Sequence, residues 1–494
     1  MSGLGSLLLA SKGKENEILN INPTITFFKK VYKAHSNISN EVLPQFFKSM
    51  SNFGRRMTVN ISKNGDMLSD MTLYFELPEI PVSNHSTLPY GIKQFAWAKK
   101  TGLAMIKYID IEIGGTLISR HYSDWLNIYN EMNVSKSQNK KIGVTEEMTT
   151  YSNGKISNKL YIPLSFFFNS IKVKALPLIA LSHQDVKLHL ELNDFTSCYK
   201  ESPTNYFTID TFICLYRKGE YIRQNVDGLK SIGIFVYFDI NTKRVYYDSV
   251  YNTFLTSTTT NAKIQSKYNI IGDISQFSIY PSINSIIVKD ESYFNAAYPV
   301  LKNTYILANY IYLDSNEKWY FINTELSYVV PIILNVLEKD ITSINSNYKL
   351  QLINPHTTLI WRAQLNNNIL INDQFNYSSL PLTLNDEPLI YNNKLIINSI
   401  PRCELANYQY YTHMQNYICN FISCDNIYMY SFGLDTSTNN MKGTINFSMI
   451  DDIYIMLNLN KLVNYQNIIN IKAYGLYYNL FIIKNGNSSI KYYI

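Results

Sequence analysis

Residues 103–126, LAMIKYIDIEIGGTLISRHYSDWL, constrain the fold of this chain more than any other stretch. Ile109, Ile111 and Ile113 alternate with Asp110 and Glu112, which puts aliphatics on one face of a strand and charges on the other. Gly114-Gly115 then offers a two-residue turn where positive φ costs nothing, so the chain doubles back at once through Leu117 and Ile118. Ser123 stands where it caps a short helix bearing Trp125, Leu126 and Tyr129. A hairpin closed by an aromatic-bearing helix is a scaffold unit, and it carries no evident chemistry.

The same two-residue period returns along the chain. Met57, Val59 and Ile61 alternate with polar residues, Asn64-Gly65 reads as a tight hairpin turn, and Met71, Leu73, Phe75 and Leu77 form the returning strand. Residues 160–168, 186–192 and 207–216 add further strands. The alternation lapses at 218–228, KGEYIRQNVDG, where the reading places a domain boundary. A second series follows at 232–239, 244–248, 285–288, 305–313, 348–353, 358–363, 394–397, 426–432, 443–448, 453–459 and 468–483, with a helix expected over 317–338 that Pro331 must end or kink. Forty-one Tyr and 24 Phe suit pleated, half-buried surfaces. Many short strands in two runs imply an all-β chain of two tandem sandwiches or jelly rolls.

Charge and cysteine usage narrow the function classes. The net charge is +6, and the first hundred residues hold 12 Lys+Arg against 7 Asp+Glu. Lys12, Lys14, Lys29, Lys30 and Lys33 are spread among aromatics, which fits a solvated or interface-lining face better than a nucleic-acid tail. Cys198, Cys214, Cys403, Cys419 and Cys424 include no CxxC pair, so free thiols in a reducing compartment are expected. The start, MSGLGSLLLA, lacks a basic n-region, and no window is apolar enough to span a bilayer; the reading is a protein made and kept in the cytosol.

Each cluster that hints at chemistry has a plainer structural explanation. His189 and Glu191 share a strand face near His183, yet Lys187 lies on that face and repels a cation. His121, Ser123 and Asp124 are close in sequence, whereas a triad is assembled from separated segments. Gly114-Gly115 is followed by no GK[ST] and is not a phosphate loop. The sequons at Asn37, Asn60, Asn84, Asn133, Asn376, Asn446 and Asn487 come without a secretory signal. No catalytic residue, metal or cofactor is expected.

The ordered motifs NPTITFFKKVYKAHSN, FGRRMTVNISKNGD, the 103–126 stretch, LYIPLSFFF and ALPLIALSHQDVKL resemble the double jelly-roll major capsid protein family of nucleocytoplasmic large DNA viruses, and YIYLDSNEKWYF, TTLIWRAQ, SFGLDTSTNNMKGTINFSMID and AYGLYYNLFIIKNG are similar to its second half. The resemblance spans about residues 20–485. It implies an all-β double jelly roll of two tandem antiparallel eight-stranded rolls with short helices in connecting loops: an arm at 1–24, an N-terminal jelly roll at 25–222 and a C-terminal one at 223–494. It also implies a structural, non-enzymatic protein of the virion capsid shell, assembled in the host cytoplasm as a homotrimeric pseudo-hexagonal capsomer tiling an icosahedral capsid. The expected partners are further copies of itself, minor capsid and penton proteins and an internal membrane surface, with no specific nucleic acid. The residues expected to matter for folding and assembly are Asn22, Pro23, Phe27, Phe28, Tyr32, Asn64, Gly65, Gly114, Gly115, His121, Trp125, Pro163, Pro177, Trp361, Asn446 and Phe447, with Lys12, Lys14, Lys29, Lys30 and Lys33 at an inner rim. Long loops at 131–158, 251–283 and 365–392 are expected to decorate the outer face or clasp neighbours. Two alternatives stay open: a minor double-jelly-roll paralogue, and a carbohydrate-binding tandem β-sandwich with exposed Trp or Tyr platforms.

Overall fold

A computed structural model describes residues 7, 10, 11, 13, 14, 22, 35–82, 95–133, 146–150, 152, 154–170, 172–203, 205–217, 219–240, 243–286, 298–379, 387–403, 407–434, 443–465 and 467–492. The chain divides into two units, Met1–Ile38 and Ser39–Ile494. In the first, Leu7, Ala10, Ser11, Lys14 and Asn22 are exposed, and the Ser11 N–H donates to the Leu7 carbonyl at 3.0 Å.

The second unit holds two rolls built on one plan. The eight strands of the first are Ser39–Phe46, Arg56–Ile61, Met67–Glu76, Ile106–Ile113, Thr116–Tyr122, Lys159–Pro163, Val186–Leu192 and Asn303–Tyr312. They pair antiparallel as two sheets, one ordered first, eighth, third, sixth and the other second, seventh, fourth, fifth. Leu326–Ile341, Asn345–Lys349, Pro355–Leu365, Ile390–Ile397, Ile400–Pro401, Ile427–Ser431, Ile453–Leu459 and Ile469–Lys484 repeat both orders in the second roll. The expected double jelly roll is the observed architecture. Period-two patterning explains the sandwich: Ile109, Ile111 and Ile113 are fully buried, as are Val186, Leu188 and Leu190 on the neighbouring strand, while the residues between them are largely partly exposed.

Several expectations are corrected. The boundary expected at 222/223 cuts the first roll, because its eighth strand, Asn303–Tyr312, lies between Ser39–Phe46 and Met67–Glu76. The lapse in alternation instead falls within an insertion between the seventh and eighth strands. This insertion is a separate six-stranded sheet of Asn205–Thr208, Arg244–Tyr251, Leu229–Asp239, Tyr221–Val226, Ile270–Gly272 and Ser278–Ile279, with its own core around Phe207, Phe235, Val245 and Tyr247. The strand expected over 207–216 ends at Thr208, and residues 285 and 286 are not in a strand. Asn64-Gly65 does not close a hairpin either, since the strands it joins belong to opposite sheets. Gly65 is required for another reason: a Cβ there would stand 2.7 Å from the Tyr310 Cβ.

The expected helix over 317–338 is shorter, covering only Ser315–Asn323, after which the chain becomes the 16-residue strand Leu326–Ile341. Pro331 sits inside that strand without disrupting it because the strand is at the sheet edge, where its missing N–H has no ladder partner to lose. Gly114 and Gly115 do close the hairpin, at φ 57° and 85°, with Ile113 opposite Thr116. Ser123 begins the helix Ser123–Asn133 but donates its hydroxyl to the Leu103 carbonyl at 2.8 Å instead of capping.

Candidate assembly surface

The helix Ser123–Asn133 follows the fifth strand of the first roll and lies on the outer face of the second roll's sheet. Trp125, Ile128 and Met132 pack against Ile360, Tyr474, Ile427 and Met429 in one buried cluster, with Tyr129 at its margin. Burying each large apolar side chain contributes roughly 1.5–3 kcal/mol. Asp124 opens the helix and pairs with Arg362, which is 2 % exposed in the buried strand Pro355–Leu365. Arg362 also donates to the Asn470 side-chain oxygen at 2.9 Å, and Lys472 lies 3.7 Å from Asp124 and 2.9 Å from Glu338. Burial alone would raise the Asp124 pKa, but the Arg362 and Lys472 charges, with hydrogen bonds from Arg362 and Tyr377, outweigh it and hold the carboxyl below its ordinary value.

Two further contacts tie the rolls. The long strands Leu326–Ile341 and Ile469–Lys484 run on past the second roll, so that Val330, Ile332, Tyr477 and Phe481 join the core of the first. Part of the expected 365–392 loop clasps the first roll within the same chain: Asn372 donates to the Tyr199 carbonyl at 2.6 Å, Gln374 to Ser197 at 2.8 Å, and Asp373 meets Lys200 at 3.3 Å.

The matching sheet face of the first roll remains at the surface. Phe46, Tyr305, Tyr74 and Tyr161 form a cross-strand row, with ring centroids 5.7, 4.4 and 5.0 Å apart in that order. Phe46 is 67 % and Tyr161 45 % exposed at the ends, Tyr305 is partly exposed and Tyr74 buried between them, and Pro44, Leu307, Thr72 and Pro163 form the next row. Large exposed aromatics on a sheet face are typical of protein–protein contact centres.

The structure distributes the residues singled out from sequence among different roles. Trp125 belongs to the inter-roll seat, and Pro163 to the open face. Trp361 is core, between Tyr411 and Tyr428; Phe447 packs on His356 and Phe432; Pro177 is buried beside Met67. Asn446 is exposed and accepts from the Ser448 N–H at 3.1 Å. Gly114 and Gly115 are exposed turn residues, Asn64 is exposed in the connection between opposite sheets, and Gly65 is buried. Asn22 and Lys14 are exposed, whereas Pro23, Phe27, Phe28, Tyr32, Lys12, Lys29, Lys30 and Lys33 lie outside the described residues.

The hints of chemistry resolve into separate structural bonds. His121 stacks on Phe166 and shares hydrogen bonds with Ser119 and Ser165, Ser123 serves Leu103, and Asp124 serves Arg362, so the three do not converge. His189 is held between Thr58 at 2.8 Å and Glu112 at 3.0 Å, while Glu191 pairs with Lys107. Burial pushes the Cys198 thiol up to about 12, far from a reactive thiolate.

Sequence reasoning missed the strand Ser39–Phe46 and with it the aromatic row, because SNEVLPQF alternates poorly. It also missed Arg362, although an arginine inside TTLIWRAQ demands a buried acid and thus points to an ion pair.

Comparison with known proteins gives a consistent picture. Residues 26–251 match a family described as "Major capsid protein N-terminus", and residues 311–488 match "Large eukaryotic DNA virus major capsid protein". "Probable capsid protein 4" of Acanthamoeba polyphaga mimivirus is 31 % identical over 96 % of this chain and 96 % of its own length. The major capsid protein of Paramecium bursaria Chlorella virus 1 is 32 % identical over 37 % of this chain and 39 % of its own. Among solved structures, the faustovirus major capsid protein superposes with a TM-score of 0.63 at 11 % identity, covering 93 % of each chain, and PBCV-1 VP54 with 0.62 at 18 %, covering 95 % of this chain and 100 % of that one.

Proposed function

Since the chain belongs to the large eukaryotic DNA virus major capsid protein family, we propose that it works by self-association, three copies forming a pseudo-hexagonal capsomer that tiles an icosahedral shell. The observation that carries this is the repetition of one roll, in one strand order, twice per chain. Three such chains around an axis present six roll-sized units, so three-fold symmetry yields a near-hexagonal outline that packs without gaps. The protein is a structural component of the virion shell, and its work is burial of apolar surface between copies. His121, Ser123, Asp124, His189 and Glu191 are each committed to a structural partner.

Finer roles belong to the same reading. Minor capsid and penton proteins would contact the rims of the capsomer, and the lysines of the first 38 residues suit an anionic inner membrane surface. Assembly would take place in the host cytoplasm, where the five free thiols persist. The test is mass in solution by light scattering: three times the 57.2 kDa chain mass is expected, and a stable monomer at high concentration overturns the reading.

One observation favours a second reading, a minor double-jelly-roll paralogue. One match over nearly the full length in sequence is to "Probable capsid protein 4" of a virus that also has a "Capsid protein 1", while the major capsid proteins of Phaeocystis pouchetii virus and Paramecium bursaria Chlorella virus 1 align in sequence over less than half of their length. Copy number in purified virions, by quantitative mass spectrometry, separates the two: a shell-forming subunit is the most abundant capsid protein and a minor one is not.

A further inference from the structure

We propose that the open aromatic row of the first roll is the seat for helical residues 408–418 of a second copy. The inference rests on the capsomer reading and names the contact that would close the ring. Its template is made once within each chain. The helix after the fifth strand of the first roll lays Trp125, Ile128 and Tyr129 on Tyr474, Ile360 and Met429, which with the exposed Asn335 form one row of the second roll. Read across the same strand order, the corresponding row in the first roll is Phe46, Tyr305, Tyr74 and Tyr161. Under its helix Tyr474, Ile360 and Met429 are 1 %, 4 % and 0 % exposed and Asn335 at the row's end faces solvent, whereas in the first-roll row Tyr161, the counterpart of Met429, is 45 % exposed and Tyr305 partly exposed, with Tyr74 buried between them at 4 %.

The second roll carries the missing half. Residues 408–418 follow its fifth strand and are helical throughout, with a π turn at Tyr410–Met414. Tyr411 anchors the helix on Trp361, and Gln415 and Asn416 are buried. The opposite side presents Met414, Tyr417 and Ile418 at 51 %, 77 % and 50 % exposure. Their i, i+3, i+4 spacing is that of Trp125, Ile128 and Tyr129. Helix 408–418 itself has no acid, and its one histidine, His413, lies 3.8 Å from Asp425 of the same chain, while the acids on the outer face of the receiving strand are Asp70 and Glu76, so no like-charge pair opposes the contact. A donor helix with an exposed apolar stripe and a partly open acceptor face on one chain, related as the two halves of an existing contact, are what a head-to-tail ring requires.

The test places the photo-crosslinker p-benzoylphenylalanine at Tyr417 of the full-length chain and mixes copies labelled with 14N and 15N. After irradiation, mixed-isotope crosslinks are expected on peptides containing residues 39–46, 67–76, 159–163 or 303–312. Phe46→Asp and, separately, Tyr161→Asp should cut their yield about tenfold or more, with the melting temperature nearly unchanged because both side chains are already exposed. If the trimer mass is retained but the crosslinks fall on residues 1–38 or on the 205–279 sheet, this contact is wrong and the capsomer reading stands. A monomeric mass sinks both.

Discussion

Arg362 and Asp124 form a buried pair whose worth lies in being complete. Removing one partner leaves an unpaired charge where water cannot reach, so Asp124→Ala is expected to cost about 3–5 kcal/mol by denaturant titration. Asp124→Ala combined with Arg362→Met should recover most of that loss. Two buried histidines set a different sensitivity. Burial lowers the pKa of His121 to about 3 and of His356 to about 4, from 6.5. The unfolded chain therefore takes up protons below pH 6.5 that the folded chain refuses, and stability falls as pH drops from there toward 4. Each histidine contributes about 1.4 kcal/mol per pH unit over that window, so His121→Gln should shrink the stability difference between pH 7 and pH 5 by about 2 kcal/mol. An unchanged difference would show that His121 does not titrate in this way.

At the scale of elements, the hairpin and helix of residues 103–126 were readable because three devices agree there: strict alternation, paired glycines and a helix with an apolar stripe. What that helix packs against was not readable, since its partner face lies more than two hundred residues away. Trp125→Ala is expected to cost about 3–5 kcal/mol, measured by thermal unfolding, because it empties the seat on the second roll. Gly65 shows the opposite lesson. Asn-Gly is a hairpin signal by local propensity, yet here the glycine is required by a distant strand. Gly65→Ala should destabilise by about 1–3 kcal/mol through the Tyr310 contact, whose Cβ cannot swing away. Pro331 misled in the same manner, since a proline that would break a helix is tolerated on an edge strand.

For the whole molecule, the position of Asn303–Tyr312 decides what can fold alone. A fragment ending at residue 222 lacks the strand between Ser39–Phe46 and Met67–Glu76, which leaves two unpaired edges in the middle of a sheet. It is expected to be insoluble when expressed alone, and a soluble, cooperatively folded product would refute the strand order. Sequence alone determined the strand-rich composition, the faces of most strands and the family resemblance, because period, turn chemistry and motif order are local properties. Tertiary structure decided where the first roll ends, which arginine is clamped, and which outer sheet row lies under a helix in one roll and is partly open in the other. Those depend on contacts between segments hundreds of residues apart, and no local pattern encodes which distant face a strand or helix will meet.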